Sequence, residues 1–201
     1  MTETQTIYIV DDDEAMRDSM TWLLEGEGYH VACFDSAERF LQSRRDNMRG
    51  CLILDVRMPT MSGLELHEKL DAFGSRLPVI FVTGHGDVPM AVAALQRGAC
   101  DFIEKPFHNE DLLSRIRRAL ELESQQAARR ERDGAIAHRL ELLTQREREV
   151  MALVVAGKLN KQIADELNIS MKTVEAHRAR VMEKMGVRTL AELVKISIKL
   201  T

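Results

Sequence analysis

Residues 51–67 read CLILDVRMPTMSGLELH, in which four apolar or small residues lead into Asp55 and a turn through Pro59 and Gly63 follows. A short apolar run bounded by turn residues is typical of a buried strand in a parallel sheet. Asp55 is therefore expected at the carboxyl end of a central strand, where open α/β sheets place their chemistry. An ionised group at that position is costly unless something compensates it. The alternative is an ordinary turn or helix-capping aspartate.

Charge distribution suggests two parts with different partners. The 201 residues carry a net charge of −4, yet acidic residues are in excess over 1–122 and basic residues over 123–201. This asymmetry indicates two different functions, of which the second, in the basic part, involves nucleic acid. A small positive charge is also common on ordinary protein surfaces, so the asymmetry is only a first indication.

Neither a targeting segment nor a disulfide is predicted. Met1 is followed by polar residues rather than a basic and then apolar leader, and no apolar run approaches the ~18 residues of a membrane span. Cys33, Cys51 and Cys100 lie far apart, each in or beside an apolar, strand-like run. We therefore expect a cytoplasmic protein without membrane contact, whose cysteines are reduced and buried.

Short apolar runs alternate with amphipathic segments over residues 6–122. Asp13 precedes the first amphipathic segment and is placed to cap it as a helix. Five strand-like runs and five helical patterns predict an α/β domain at 1–122, built on a doubly wound, five-stranded parallel sheet. Right-handed crossovers bring the carboxyl ends of such strands to one edge. The polar residues expected at that edge are Asp11, Asp12, Asp55, Thr83 and Lys105.

This set of residues suits the transfer of a phosphoryl group to an aspartate. Carboxylates about 4 Å apart repel by roughly 1 to 4 kcal/mol, and a hard divalent cation such as Mg²⁺ removes that repulsion. Lys105 is a point charge suited to phosphate oxygens, and Thr83 offers a hydroxyl donor. We interpret Asp55 as an activated aspartate whose charge Mg²⁺ and Lys105 neutralise during the transfer.

Residues 6–122 resemble the receiver domain of two-component response regulators. The residues named above belong to motifs that occur in the same order as in that domain. The motifs are Asp11-Asp12, Asp55 followed by Met58-Pro59-x-Met61-x-Gly63, Thr83-Gly84, and Lys105-Pro106. More narrowly, TGHGDVPMAV at 83–92 and DFIEKPF at 101–107 resemble the FixJ subfamily. The resemblance implies a flavodoxin-like fold.

Individual roles follow from this resemblance. Asp55 would be the phosphoacceptor, Thr83 and Lys105 would bind the phosphoryl group, and Thr83 with Phe102 would form a conformational switch. The implied Mg²⁺ contacts are Asp11, Asp12, Asp55 and the backbone carbonyl of Arg57. The bond between Lys105 and Pro106 is expected to be a cis peptide.

A polar, charged segment leads into a second apolar pattern. Residues 123–140 are interpreted as a helical linker, with an interruption expected at Gly134. From 141 to 201 the pattern predicts an all-α domain of four helices, the first of which opens with a capping box between Thr144 and Glu147. Ser170 is expected to cap the third helix. Two short helices joined by a tight turn indicate a helix-turn-helix, although a small bundle with a charged face gives a similar pattern.

Residues 141–201 resemble the LuxR-type DNA-binding domain. The motifs are Leu143-Thr-Gln-Arg-Glu-Arg-Glu-Val150, Gly157-x-x-Asn160-Lys-x-Ile-Ala164, Lys172-Thr-Val-Glu-x-His-Arg178 and Lys184-Met-Gly. The resemblance implies that the third helix enters the major groove. Its exposed face would comprise Lys172, Thr173, Glu175, Ala176, Ala179 and Arg180. Phosphate contacts would come from Lys161, Thr173, His177, Arg178 and Lys184.

Together the two resemblances imply a response regulator rather than a classical enzyme. A sensor histidine kinase would phosphorylate Asp55, and the chain would catalyse only this Mg²⁺-dependent transfer and its own dephosphorylation. Phosphorylation would promote a homodimer that binds double-stranded promoter DNA and acts with RNA polymerase. The expected dimer contacts on the face following residue 87 include Val88, Val92, Phe102, Ile103 and Leu113.

Two other functions agree with parts of the sequence. An aspartate-nucleophile phosphatase would carry a second acid two residues after the nucleophile, where this chain has Arg57. A small-ligand-sensing regulator could share the DNA-binding domain, but would not need the acid pair, threonine and lysine at the strand ends.

Overall fold

The structure, a computed structural model, describes residues 5–45, 47–84 and 88–198. Its contacts divide the chain into two compact units, Met1–Ala127 and Ala128–Thr201. The boundaries predicted above, at 122 and 140, stay a prediction. Within the described residues, no helix combines the length and apolar character that crossing a membrane requires.

The first unit contains one parallel sheet of five strands in the order β2-β1-β3-β4-β5. The strands are β1 (Thr6–Val10), β2 (His30–Phe34), β3 (Gly50–Asp55), β4 (Val79–Thr83) and β5 (Asp101–Glu104). The helices between and after them are α1 (Glu14–Gly26), α2 (Ala37–Ser43), α3 (Gly63–Ala72), α4 (Val88–Gln96) and α5 (Asn109–Glu141). The predicted doubly wound α/β fold is confirmed.

Both faces of the sheet are covered by helices. Alternate side chains of β3 point to opposite sides, so Ile53 packs in one core with α1 and α5, while Leu54 packs in another with α2, α3 and α4. Every residue of β3 is buried. This is why β3 has the continuous apolar sequence that predicted it.

Gly63 fixes how closely the start of α3 approaches β3. A Cβ atom at this position would lie 2.1 Å from the backbone oxygen of Asp55, and the N–H of Gly63 donates to the oxygen of Val56 at 3.0 Å. Only glycine allows this approach. The turn after Asp55 is therefore closed by backbone contact, and it holds the aspartate at the strand end.

The second unit has its own core. Its helices after α5 are α6 (Gln145–Val155), α7 (Asn160–Leu167), α8 (Met171–Met185) and α9 (Leu190–Ile198). Thr144 and Glu147 form the predicted capping box of α6, and Ser170 accepts the N–H of Thr173 to cap α8. Val150, Ile163, Val174, Val181 and Met185 are among the residues of the core. The predicted all-α helix-turn-helix unit is confirmed.

Several sequence expectations need correction. Helix α5 runs without interruption from Asn109 to Glu141, so the break expected at Gly134 is absent; a Cβ there would meet nothing within 4 Å. Cys33 is exposed because β2 is an edge strand, and Cys100 is only half-buried, although all three cysteines are free.

Ile103 and Leu113 lie in the core rather than on a dimer face. The side chain of Val88 lies outside the described residues.

Candidate functional site

Three charged side chains meet at the carboxyl edge of the sheet. The Nζ atom of Lys105 lies 2.8 Å from Oδ1 of Asp55 and 2.9 Å from Oδ2 of Asp11. Asp11 is 1% exposed and Asp55 is 6% exposed. Asp11 directly follows β1, Asp55 ends β3 and Lys105 directly follows β5, so parallel strand ends bring together residues from across the chain. The expected cluster therefore forms around Asp11, Asp55 and Lys105.

Backbone donors orient both carboxylates. The N–H of Arg57 donates to Oδ2 of Asp55 at 2.8 Å, and the N–H of Asp13 donates to Oδ1 of Asp11 at 2.9 Å. Each carboxylate thus accepts one backbone hydrogen bond and one from Lys105. Asp55 is not a helix cap, because the residue that caps α3 is Ser62. Asp13 caps α1 as predicted.

Burial and neighbouring charge act in opposite directions at this site. Burial raises the pKa of Asp55 above its ordinary value, Asp11 raises it further, and the hydrogen bond and charge of Lys105 offset part of that rise. For Lys105, burial lowers the pKa, but the hydrogen bonds and charges of Asp55 and Asp11 more than compensate, so its pKa is raised. Lys105 therefore stays cationic and reduces the repulsion between the two acids.

The donor set fits a hard cation. Mg²⁺ usually takes one or two carboxylates, waters and a phosphate oxygen rather than a complete protein cage. Asp11 and Asp55 supply buried carboxylates, and Asp12 lies exposed beside them. No group of three or more His, Cys, Asp or Glu residues within the described part of the chain is arranged to hold a metal by itself. The carboxylates of Asp11 and Asp55 are the kind of donors that this open, partly hydrated form of Mg²⁺ binding uses.

Thr83 and Phe102, the two residues predicted to form a switch, lie on the neighbouring strands β4 and β5. Thr83 ends β4, is fully buried, and donates its hydroxyl to the backbone oxygen of Gly84 at 3.3 Å. Phe102 is half-buried on β5 and is paired in register with Phe81. The backbone N–H of Lys105 donates to the oxygen of Thr83 at 2.7 Å, which links the two strand ends directly. The predicted cis peptide between Lys105 and Pro106 is confirmed.

Arg17 is a contributor that the sequence interpretation missed. Its Nη1 atom donates to the backbone oxygen of Asp11 at 2.7 Å, which braces the strand end behind the carboxylate. The available signal is a basic residue one helical turn after the capping Asp13. Such a spacing is common on ordinary helices, so it does not identify the contact from sequence.

Helix α8 presents an exposed face in the second unit. Exposed residues on it are Lys172, Glu175, Ala176, Ala179 and Arg180, and Thr173 is half-buried. Lys161 is exposed on α7. These positions agree with the predicted nucleic-acid interface, whose individual contacts stay a prediction.

The three remaining residues predicted to contact DNA are His177, Arg178 and Lys184, and the structure shows what surrounds each of them. Arg178 donates from Nη1 to Oδ1 of Asn160 at 2.7 Å, which joins α8 to α7. Lys184 donates to Oε2 of Glu147 at 2.6 Å and to the oxygen of Leu142 at 3.1 Å. The Nδ1 atom of His177 is buried and has no hydrogen-bond partner within the described residues. Arg178 and Lys184 therefore stabilise the helix arrangement whatever contacts they make with DNA.

Comparisons with known proteins agree with both units. The family model of the response regulator receiver domain matches residues 7–117, and that of bacterial regulatory proteins of the luxR family matches residues 141–197. The response regulator protein TodT of Pseudomonas putida is 46% identical over 194 residues, covering 96% of this chain and 86% of that protein. The transcriptional regulatory protein FixJ of Bradyrhizobium diazoefficiens is 44% identical over 200 residues, covering 99% of this chain and 97% of that protein.

Solved structures resemble the chain over nearly its whole length. A low-resolution structure of the response regulator StyR matches with a TM-score of 0.92 at 43% identity, covering 98% of this chain and 99% of that chain. Full-length FixJ from B. japonicum matches with a TM-score of 0.62 at 43% identity, covering 98% of this chain and 97% of that chain.

Proposed function

Because the chain belongs to the FixJ subfamily of two-component response regulators, with a receiver domain and a LuxR-type DNA-binding domain, we propose that Asp55 accepts the phosphoryl group from a sensor histidine kinase. The observation that supports this most is the placement of Lys105 between Asp55 and Asp11, at 2.8 and 2.9 Å. Such a lysine neutralises charge at the point where a phosphoryl group would arrive.

In the proposed transfer, a carboxylate oxygen of Asp55 forms a bond to phosphorus while the bond from phosphorus to the kinase histidine breaks. The electron pair of that bond returns to the imidazole nitrogen. Lys105 stays within reach of the new phosphoryl oxygens, and the backbone N–H of Arg57 holds the other carboxylate oxygen of Asp55. The chain thus orients the nucleophile and supplies positive charge, which are the main protein contributions to phosphoryl transfer.

Asp11, Asp12, Asp55 and the backbone carbonyl of Arg57 would hold Mg²⁺. A bound Mg²⁺ would supply charge neutralisation for the phosphoryl oxygens that Lys105 alone does not reach. The same residues would support slow attack of water on the aspartyl phosphate, which returns Asp55 to its carboxylate. This hydrolysis would be the limit of the chain's own catalysis.

The proposed output depends on an element with two states. Thr83 would turn its hydroxyl from Gly84 toward the phosphoryl group, and Phe102 would rotate into the space left behind. The surface available for dimer contact on the proposed face includes Val92, which is 45% exposed, and the half-buried Phe102. Arg115 already pairs with Asp101 at 2.7 Å on that face.

DNA binding would follow from dimerisation. Two recognition helices would read a roughly two-fold symmetric promoter site, and the bound dimer would act with RNA polymerase in the cytoplasm. A tenfold rise in DNA affinity needs only about 1.4 kcal/mol of coupling between the two sites. A modest shift of the two-state element is therefore sufficient for regulation.

Sedimentation velocity with and without acetyl phosphate and Mg²⁺ tests this proposal. We expect the monomer to become a dimer when the donor is added, and an Asp55→Asn variant to remain monomeric under the same conditions. Fluorescence anisotropy with duplex DNA selected by the phosphorylated protein should show a parallel gain in affinity. A chain that stays monomeric while its DNA affinity rises would rule out dimerisation as the switch.

A further inference from the structure

A cavity of about 400 Å³ lies in the first unit, at the edge of the sheet opposite Asp55. Its walls come from the end of α3, the loop that leads into β4, the end of α4, and α5. Val79, which lines it, is the first residue of β4, whereas Asp55 is the last residue of β3. The cavity is thus separate from the proposed phosphoacceptor site by the length of a strand.

Its volume lies in the range of small-molecule sites, and its lining is divided between apolar residues and the polar residues His67, Asp71, Ser75, Arg76, Arg97, Glu123 and Gln126. Such sites have volumes of about 300 to 1,000 Å³, mostly apolar walls and a few well-placed polar groups. The apolar part of this lining consists of Leu70, Leu77, Pro78, Val79 and Leu122. The apolar part of a bound ligand would pack against these side chains and lose its contact with water.

His67 supplies a polar group in the wall. It is only 9% exposed, and its ring packs edge-on against Phe81 with centroids 5.5 Å apart and planes at 81°. Neither of its ring nitrogens has a hydrogen-bond partner within the described residues. Burial lowers the pKa of His67, so the ring is neutral near pH 7 and presents one donor and one acceptor. The ring nitrogens are not among the buried atoms that lack a partner, so they are open to solvent and have capacity for a ligand.

Arg76 is the cation that the cavity leaves available. Glu123 in the wall is paired with Arg49 at 2.5 Å, and Arg97 forms an ion pair with Glu68. Arg76 is exposed and has neither an ion pair nor a side-chain hydrogen bond within the described part of the chain. A guanidinium binds a carboxylate through two parallel hydrogen bonds, which makes this group the natural ligand.

We propose that this cavity binds a small organic carboxylate with an apolar body, with the carboxylate on Arg76, a hydrogen bond to His67, and the apolar part against Leu70 and Leu77. This binding site adds a chemical input to a receiver domain and does not depend on phosphorylation of Asp55. Glu123 and Leu122, which also line the cavity, belong to α5. The ligand would therefore contact the helix that continues into the second unit.

Calorimetric titration of the full chain tests the site with three probes of one shape. The probes are 3-phenylpropionate, the neutral 3-phenylpropionamide and the cationic 3-phenylpropylamine. We expect the carboxylate to bind most tightly, and Arg76→Gln to weaken its binding about tenfold, which corresponds to about 1.4 kcal/mol. Arg117→Gln, an exposed arginine of α5 outside the lining, is the matched control and should leave the affinity unchanged.

A His67→Phe variant, which keeps the ring volume and removes both nitrogens, should also weaken binding of the carboxylate. Amide NMR shifts on adding 3-phenylpropionate should centre on the residues around Leu77 and Val79 rather than on those around Asp55. The proposal is overturned if none of the probes binds at millimolar concentration, if the amine binds more tightly than the carboxylate, or if Arg76→Gln binds as well as Arg117→Gln.

Discussion

The Nζ atom of Lys184 in α8 lies 2.6 Å from Oε2 of Glu147 in α6, a side chain that is only 3% exposed. The same oxygen of Glu147 accepts the backbone N–H of Thr144 at 2.9 Å. The hydrogen bond from Lys184 has the largest effect on the pKa of Glu147, followed by that from Thr144, and together they lower it to about 2. Burial acts in the other direction and raises this pKa. One carboxylate thus caps α6 and fixes the recognition helix to it.

This pair makes the stability of the second unit depend on pH. The pKa of Glu147 is lowered from 4.5 to about 2, so its contribution to stability is complete above pH 4.5 and is lost as pH falls toward 2. We expect Lys184→Met to reduce the free energy of unfolding by about 1 to 3 kcal/mol at pH 7, and by less at pH 3. Urea unfolding of the full chain, followed through amide NMR signals of α6 and α8, measures both values. An unfolding free energy equal to that of the wild type at pH 7 would show that the pair contributes nothing.

Gly63 provides a second prediction. A Cβ at this position would lie 2.1 Å from the backbone oxygen of Asp55 and 3.0 Å from the Cγ of Leu54, and neither atom can move freely because β3 is fully buried. Gly63→Ala should therefore cost at least about 1 to 3 kcal/mol and slow the phosphorylation of Asp55. Gly134→Ala is the matched control, because that glycine lies within α5 with nothing within 4 Å of its Cβ position, and should stabilise by about 1 kcal/mol. Equal melting temperatures for the two variants would contradict the close approach at Gly63.

Lys161 tests the assignment of phosphate contacts. It is exposed on α7 and has no ion pair within the described residues, so replacing it leaves the fold intact. Lys161→Gln should weaken binding to all duplex sequences alike and reduce the slope of log affinity against log salt by about 1. Lys195→Gln, with the same charge change on an exposed position of α9, serves as the control. If Lys161→Gln alters preference at a single base pair instead, Lys161 contacts a base edge.

The sequence was sufficient to predict the strand-end cluster, because parallel strands share one carboxyl edge whatever their order in the sheet. It did not distinguish the buried Asp11 from the exposed Asp12, since that choice depends on which way the backbone turns after β1. It also did not show the ion pair between Lys184 and Glu147, two residues separated by 37 positions. A basic residue on a recognition helix predicts a DNA contact from sequence, and only packing of α8 against α6 reveals its structural partner.

Cys33 illustrates a further limit. Its neighbours form an apolar run, which predicts a strand correctly, but the position of β2 at the sheet edge leaves the thiol exposed. Strand order is set by tertiary packing rather than by local pattern. At Gly134 the local pattern predicted a break in the helix that the structure does not have. The helical preference of its neighbours outweighs the cost of one glycine in a helix, which is about 1 kcal/mol.

The central claim is that Asp55 alone carries the phosphoryl group, and its position in the chain can be measured directly. The protein is incubated with acetyl phosphate and Mg²⁺, the aspartyl phosphate is reduced with borohydride to homoserine, and the peptides are sequenced by mass spectrometry. We predict homoserine at Asp55, none at Asp11 or Asp12, and none anywhere in Asp55→Asn or after chelation of Mg²⁺. Homoserine at another aspartate of the wild type, or undiminished labelling of Asp55→Asn, would contradict the assignment of Asp55 as the phosphoacceptor.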